Sequence, residues 1–203
     1  MEKDKKVSCT ILALLYVFMS YLSPVIWDKT LGIAGSSSWK DLILAIPILL
    51  GIFNAIYIRI NFDKISRSTL LRCAVFVKYL LIPLYILGGL MIIICILIMF
   101  IPIVITVFIG PILAALLSAY GYTVMLGGSA FSLAYIRKAR QEGIHGAFLS
   151  RIGKLLQFFF TVDVISLAVL ALKEKKYIKA TIMVVIALVL GFIGGMIWLI
   201  MEI

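Results

Sequence analysis

The sequence predicts an all-α fold: a polytopic transmembrane bundle of about six helices with both termini cytoplasmic. Of 203 residues, 64% are hydrophobic and 14% charged, against roughly 45–50% and 25% in soluble domains. Mean hydropathy is +1.20. The apolar residues fall in runs of about 20, the length a helix needs to cross a hydrocarbon core of about 30 Å. Helices and short connections use nearly every residue, so 1–203 reads as one integral membrane domain.

The first span covers about 7–27. Its start, MEKDKKVSCTILALLYVFM, has the basic and apolar parts of a signal peptide, but the small-x-small triplet at Gly32 to Ala34 lies far past the apolar core, which favours a retained anchor. A polar loop, DKTLGIAGSSSWK, leads to a second span over 41–60, with Trp27 and Trp39 at one interface, as aromatic belts prefer. The connection NFDKISRSTLLR follows, bracketed by Arg59 and Arg72.

From Cys73 to Ile136 the only formal charge is Lys78. Two long helices, 75–98 and 112–136, fit this block, with Pro102 and Gly110-Pro111 marking a broken outer connection; three short ones are the alternative. With two, twelve lysines and arginines fall on the cytoplasmic side against six outside, the KEKKYIK cluster among the latter; with three the balance is eleven to seven. The two-helix count is favoured, and spans over 155–172 and 180–201 complete the bundle.

Formal net charge is +10. The basic residues sit in short clusters between apolar segments, where they orient helices, and no nucleic-acid partner is expected. Cys9, Cys73 and Cys95 lack CxxC or zinc-like spacing, so neither a disulfide framework nor a metal site is predicted. HExxH, GxSxG and Walker patterns do not occur, and neither a cofactor nor catalysis is expected.

Small residues let helix backbones approach in lipid. Gly191 and Gly195 form GxxxG in the last span, and Gly110, Ala114 and Ser118 recur every fourth residue in the fourth; packing within the chain is the simpler use, a homodimer seam the other. Pro47, Pro83 and Pro102 are expected to kink or end helices.

Asp163 lies about eight residues into its apolar run, where a charge costs about 2.5–3.5 kcal/mol on insertion scales. Lys78 and Asn54 fall in the same half of the bilayer on other segments, and with Gln157, near the start of Asp163's own span, the four form the expected intramembrane polar cluster, with Lys78 paired to Asp163. Two simpler uses stay open: Lys78 snorkelling to the interface, and Asp163 bonding to Thr161 and Ser166 of its own helix. The lone His145, in GIHG, has no partner at metal spacing and reads as a solvated loop residue. In GAFLSRIGKLLQFFF, Phe148, Ile152, Leu155 and Phe159 share a face opposite Arg151 and Lys154, a pattern for contact with anionic lipid headgroups.

With KYLLIP, FIGPI, QFFFTVDVIS and ALKEKK, the chain resembles the uncharacterised small multi-pass membrane proteins of low-GC Gram-positive bacteria. The resemblance implies a bacterial plasma membrane and no known activity. The expected function is that of a non-catalytic accessory, regulatory or immunity-type subunit, whose partners are the lipid bilayer and another membrane protein or a second copy. The alternative is a small transporter or permease built around the Asn/Lys/Asp site; a membrane enzyme is the third reading.

Overall fold

A computed structural model describes the chain over residues 2–31, 39–101, 104–160 and 162–201, with side chains over 5–26, 43–101, 107–160 and 162–189. Seven helices form: α1 (Glu2–Leu31), α2 (Trp39–Ile60), α3 (Arg67–Ile98), α4 (Val104–Gln141), α5 (Ala147–Leu156), α6 (Val162–Lys173) and α7 (Ile178–Met201). There is no strand among the described residues. The first four helices are long and apolar enough to cross a membrane. On α3, Leu87, Leu90, Met91, Ile93 and Leu97 are all exposed, a continuous apolar surface suited to hydrocarbon and not to water.

The block from Cys73 to Ile136 is taken by two helices. With 32 and 38 residues, α3 and α4 measure about 48 and 57 Å at 1.5 Å per residue, so their charged ends have length to spare beyond a core of about 30 Å. α4 runs through Gly110-Pro111 without a break, and Pro24, Pro47 and Pro83 also lie inside continuous helices; Pro102 lies outside the described residues. Proline removes one helical donor and opens the turn before it. At Pro83 the opening is filled from α1: Tyr21 donates its hydroxyl to Leu80 O at 2.6 Å and accepts from the Leu84 N–H at 3.2 Å.

Close approach rests on glycine. A Cβ on Gly51 would lie 2.7 Å from Gly127 Cα, and one on Gly127 only 2.4 Å from the Tyr16 hydroxyl. Tyr16, fully buried, donates to Val124 O at 2.5 Å, so α1, α2 and α4 meet around one tyrosine in a glycine-lined socket. Gly110 brings α4 against the Cys95 carbonyl of α3, where a Cβ would stand at 2.5 Å. Ala114 is buried one turn on, and Ser118 bonds back to Ala114 O at 2.7 Å. Gly191 and Gly195 lie outside the residues whose side chains are described.

One end of the bundle gathers the start of α1, the end of α2, the start of α3 and the end of α4. Lys5 lies over the Tyr57 ring at 5.7 Å, and Lys138 donates to Phe62 O at 2.9 Å.

The segment after α4 departs from the single span expected over 155–172. Ten residues form α5, the chain turns through 157–160, and twelve residues form α6, about 18 Å of helix and too little to cross. α5 descends antiparallel to α4: a Cβ on Gly153 would sit 3.5 Å from Ile136, and Gln157 O accepts from Ser129 Oγ at 3.2 Å. α6 returns beside α3, with Asp163 against Lys78 at its start and Glu174, just past its end, 3.6 Å from Arg67. The pair is a helical hairpin. The KEKKYIK cluster, expected at the end opposite Arg67 and Arg140, therefore shares their end, and neither the two-crossing nor the three-crossing count had placed all three together. The cause is local: the Gln157 amide donates to Asp163 O at 3.3 Å, pulling the turn closed across three phenylalanines of modest helix propensity.

Candidate functional site

The hairpin tip holds the polar residues that the apolar runs single out. Lys78 lies eleven residues along α3 from Arg67, and Ser129 twelve residues before the end of α4, about 16–18 Å from those two helix ends. Lys78 and Asp163 are both fully buried, and the Lys78 ammonium contacts Asp163 Oδ2 directly. The ammonium also reaches Ser129 Oγ at 3.3 Å and Met125 O at 3.5 Å. Asp163 Oδ1 accepts from the Val164 N–H at 2.8 Å. Asp163 stands in the first turn of α6, where the helix's free N–H groups carry partial positive charge and favour a carboxylate. Each charge therefore meets its opposite, and both carboxylate oxygens are engaged.

Gln157 joins this group through its bond to the Asp163 carbonyl, while its Oε1 is buried without a partner among the described residues. Asn54 does not join it. Its side chain is fully buried, yet neither amide atom has a hydrogen-bond partner among the described residues. Helix packing explains the separation: α2 packs on α1 and α4, whereas α6 packs on α3, α5 and α7. Ser166 is buried on α6, but Asp163 spends its oxygens elsewhere; Thr161 lies outside the described residues. On α5 the face toward the bundle carries Ser150, Gly153 and Gln157, all buried, whereas Phe148 and Leu155 are exposed with Arg151. Lys154 is half-buried.

The hairpin base holds a second cluster that sequence reasoning missed. α4 ends at Gln141, and Gly143, with φ of 72°, adopts the left-handed conformation that turns the chain back so that the Ile144 N–H bonds to Ala139 O at 3.0 Å. The turn delivers His145 inward. Expected to be solvated, it is 2% exposed and lies 3.0 Å from the Tyr135 hydroxyl. Tyr135 has one proton and gives it to Glu174 Oε1 at 2.6 Å, so the tautomer that fits is His145 with the proton on Nε2. Glu174 Oε2 lies 3.6 Å from Arg67 and 3.8 Å from Lys176, and Arg67 also meets Glu142 at 3.2 Å. Burial holds the His145 pKa below the ordinary imidazole value; Glu174 opposes that shift, and Lys173 and Arg67 add to it. The only clue in the sequence was Glu174 itself, one carboxylate within KEKK.

A groove of about 380 Å³ opens between α3 and α4 beside the hairpin turn, lined by Tyr85, Gly88, Gly89, Tyr120, Tyr122 and Phe160 among others. The groove does not reach Lys78 or Asp163. No group of three or more His, Cys, Asp or Glu able to hold a metal occurs among the described residues.

Comparison with curated proteins and with solved structures finds no match to either. The profile of DUF6652, a family of unknown function, matches residues 5–176, which takes in α1 to α6 and the whole hairpin, with α7 beyond. The chain belongs to that family of unknown function.

Proposed function

We propose that this family member is a non-catalytic, multi-pass protein of the bacterial plasma membrane that works as an accessory or regulatory subunit, of the immunity type among others, through helix contacts with another membrane protein. In this reading α1 to α4 and α7 cross the bilayer, and α5–α6 enters and leaves on one side. The positive-inside bias supports a cytoplasmic location for the end that carries the clusters around Lys5, Arg67, Arg140 and Lys175, with Lys29 and Lys40 at the other. The C-terminus then lies outside.

One observation carries the functional reading: the intramembrane charge pair is sealed. A transport site must present its ionisable group to a cavity or a water path. Here both side chains are fully buried, both carboxylate oxygens are met, and the nearby groove is lined by aliphatic, aromatic and glycine residues without a charge. The pair therefore suits a structural lock that fixes the hairpin in one position and so presents a constant lateral surface.

A second reading, a small transporter, draws on one specific feature. Asn54 leaves both amide atoms without partners among the described residues, and such groups ordinarily bond to protein or water.

The two readings separate in reconstituted liposomes. Under an imposed potential, proton and cation flux in vesicles with the protein should equal that of protein-free vesicles, and Asp163→Asn should lower thermal stability without altering flux. In native membranes, crosslinking should recover one membrane partner at fixed stoichiometry. A flux that Asp163→Asn removes from a folded protein overturns the accessory reading.

A further inference from the structure

Sequence spacing gave the cysteines no pairing, yet the fold brings two of them together. Cys9 on α1 and Cys73 on α3 are 64 residues apart in the chain, and their Sγ atoms lie 3.2 Å from each other. Both are buried, at 0% and 1% exposure, and both are free thiols. A disulfide bond is about 2.05 Å long, so bonding requires the sulfurs to close by about 1.2 Å, within the reach of small χ rotations. The third cysteine, Cys95, lies six turns further along α3, packed against Gly110.

The seam that holds the two thiols is at the basic end of the bundle. A surface concavity lies beside it, lined by Lys6, Val7, Thr10 and Ile11, which flank Cys9 in sequence, and by Arg72, which precedes Cys73. A small polar molecule arriving from the aqueous side thus meets two cations at the entrance. In the reducing interior of a cell such thiols rest unbonded, and a disulfide there is a transient event and not a framework.

We propose that Cys9 and Cys73 form a redox-reversible disulfide site that staples α1 to α3, with a hydroperoxide as oxidant. One thiol sulfur attacks the peroxide, the O–O bond breaks, and water or an alcohol departs, leaving a sulfenic acid. The second sulfur attacks that sulfur, the S–O bond breaks, and water leaves with the thiol proton. The two thiols lose two hydrogens in all, and the peroxide is the species reduced. A dithiol reverses the change by exchange. The site is independent of the accessory reading, because it involves neither the hairpin nor its charge pair.

The test uses the wild-type protein in membranes, treated with hydrogen peroxide, then unfolded in SDS, alkylated, and mapped by peptide mass. Expected is joint loss of alkylation at Cys9 and Cys73, a crosslinked peptide pair, full recovery with dithiothreitol, and Cys95 alkylated throughout. Cys9→Ala should abolish the crosslinked pair and leave Cys73 either alkylatable or singly oxidised. Continued alkylation of both thiols after peroxide, independent overoxidation of either in the wild type, or a crosslink through Cys95 overturns the proposal.

Discussion

The tip and the base of the α5–α6 hairpin are both closed by charge, on different terms. At the tip one ammonium faces one carboxylate, both fully buried, with hydroxyl and carbonyl groups completing the set. At the base two carboxylates, an arginine, a lysine, a histidine and a tyrosine share a network, and side-chain exposure ranges from 0% for His145 to 41% for Glu142. Low dielectric makes the tip an all-or-none lock: intact it costs little, and with one partner gone it strands a charge. The base is graded, because solvent and neighbouring charges can compensate for a lost member.

The largest contrast is spatial. In a background without native cysteines, single cysteines at Arg67, Arg140 and Lys175 should label with an impermeant maleimide from one side of the membrane, and one at Ser37 from the other. Labelling of Lys175 from the Ser37 side would mean that α6 completes a crossing, and the base would no longer exist as a unit.

Next is the lock itself. Lys78→Met or Asp163→Leu alone should destabilise by about 3–5 kcal/mol, and the double change by less than either single change. Unfolding in detergent micelles measures the cycle, and additive single effects would show that the tip contributes no coupling.

At the base, Glu174→Gln removes the charge that faces Arg67 while keeping an acceptor for Tyr135, and a loss of about 1.5–3 kcal/mol is expected, as for other hydrogen bonds to a charged group. The loss should shrink at high salt, because the Arg67 side chain is 19% exposed. A salt-independent loss of full size would make the base as sealed as the tip.

The smallest effect is a pH slope. His145 has its folded pKa below its ordinary value, so between that folded value and the unfolded value near 6.5 the unfolded chain binds more protons. Stability should therefore be full above about pH 6.5 and fall as pH drops through the window below it. Arg67 and Lys173 act in the same direction and Glu174 against it. Thermal unfolding across this range should show a shallower slope in His145→Gln; an unchanged slope would assign the pH dependence to another group.

The long helices were legible because each is an apolar run with charge at its ends, and Lys78 and Asp163 were legible because each is a lone charge within one. The break at 157–160 was not. No glycine or proline marks it, and the bond that closes it joins Gln157 to a backbone carbonyl six residues away, a contact that composition cannot show. The basic-residue count then misplaced KEKK, since counting assumes that every apolar run crosses. Asn54 was matched by depth alone, and depth says nothing about which helices are neighbours. His145 was judged by its loop, although Gly143 in that loop is what turns it inward.

The order in which the chain is made gives the Lys78–Asp163 contact one more consequence. Segments emerge from the ribosome N-terminal first, so in the proposed topology α3 enters the membrane with Lys78 before α6 has been synthesised. During that interval its ammonium is without its carboxylate, with Ser129 and Met125 O the first groups to arrive, on α4. A short helix carrying Asp163 has little reason to enter lipid by itself, and the waiting cation supplies one. Biogenesis of the hairpin is thus templated by the preceding helices, and a polypeptide truncated before residue 162 would keep an orphan lysine in its interior, a mark by which membrane quality control could recognise it as unfinished.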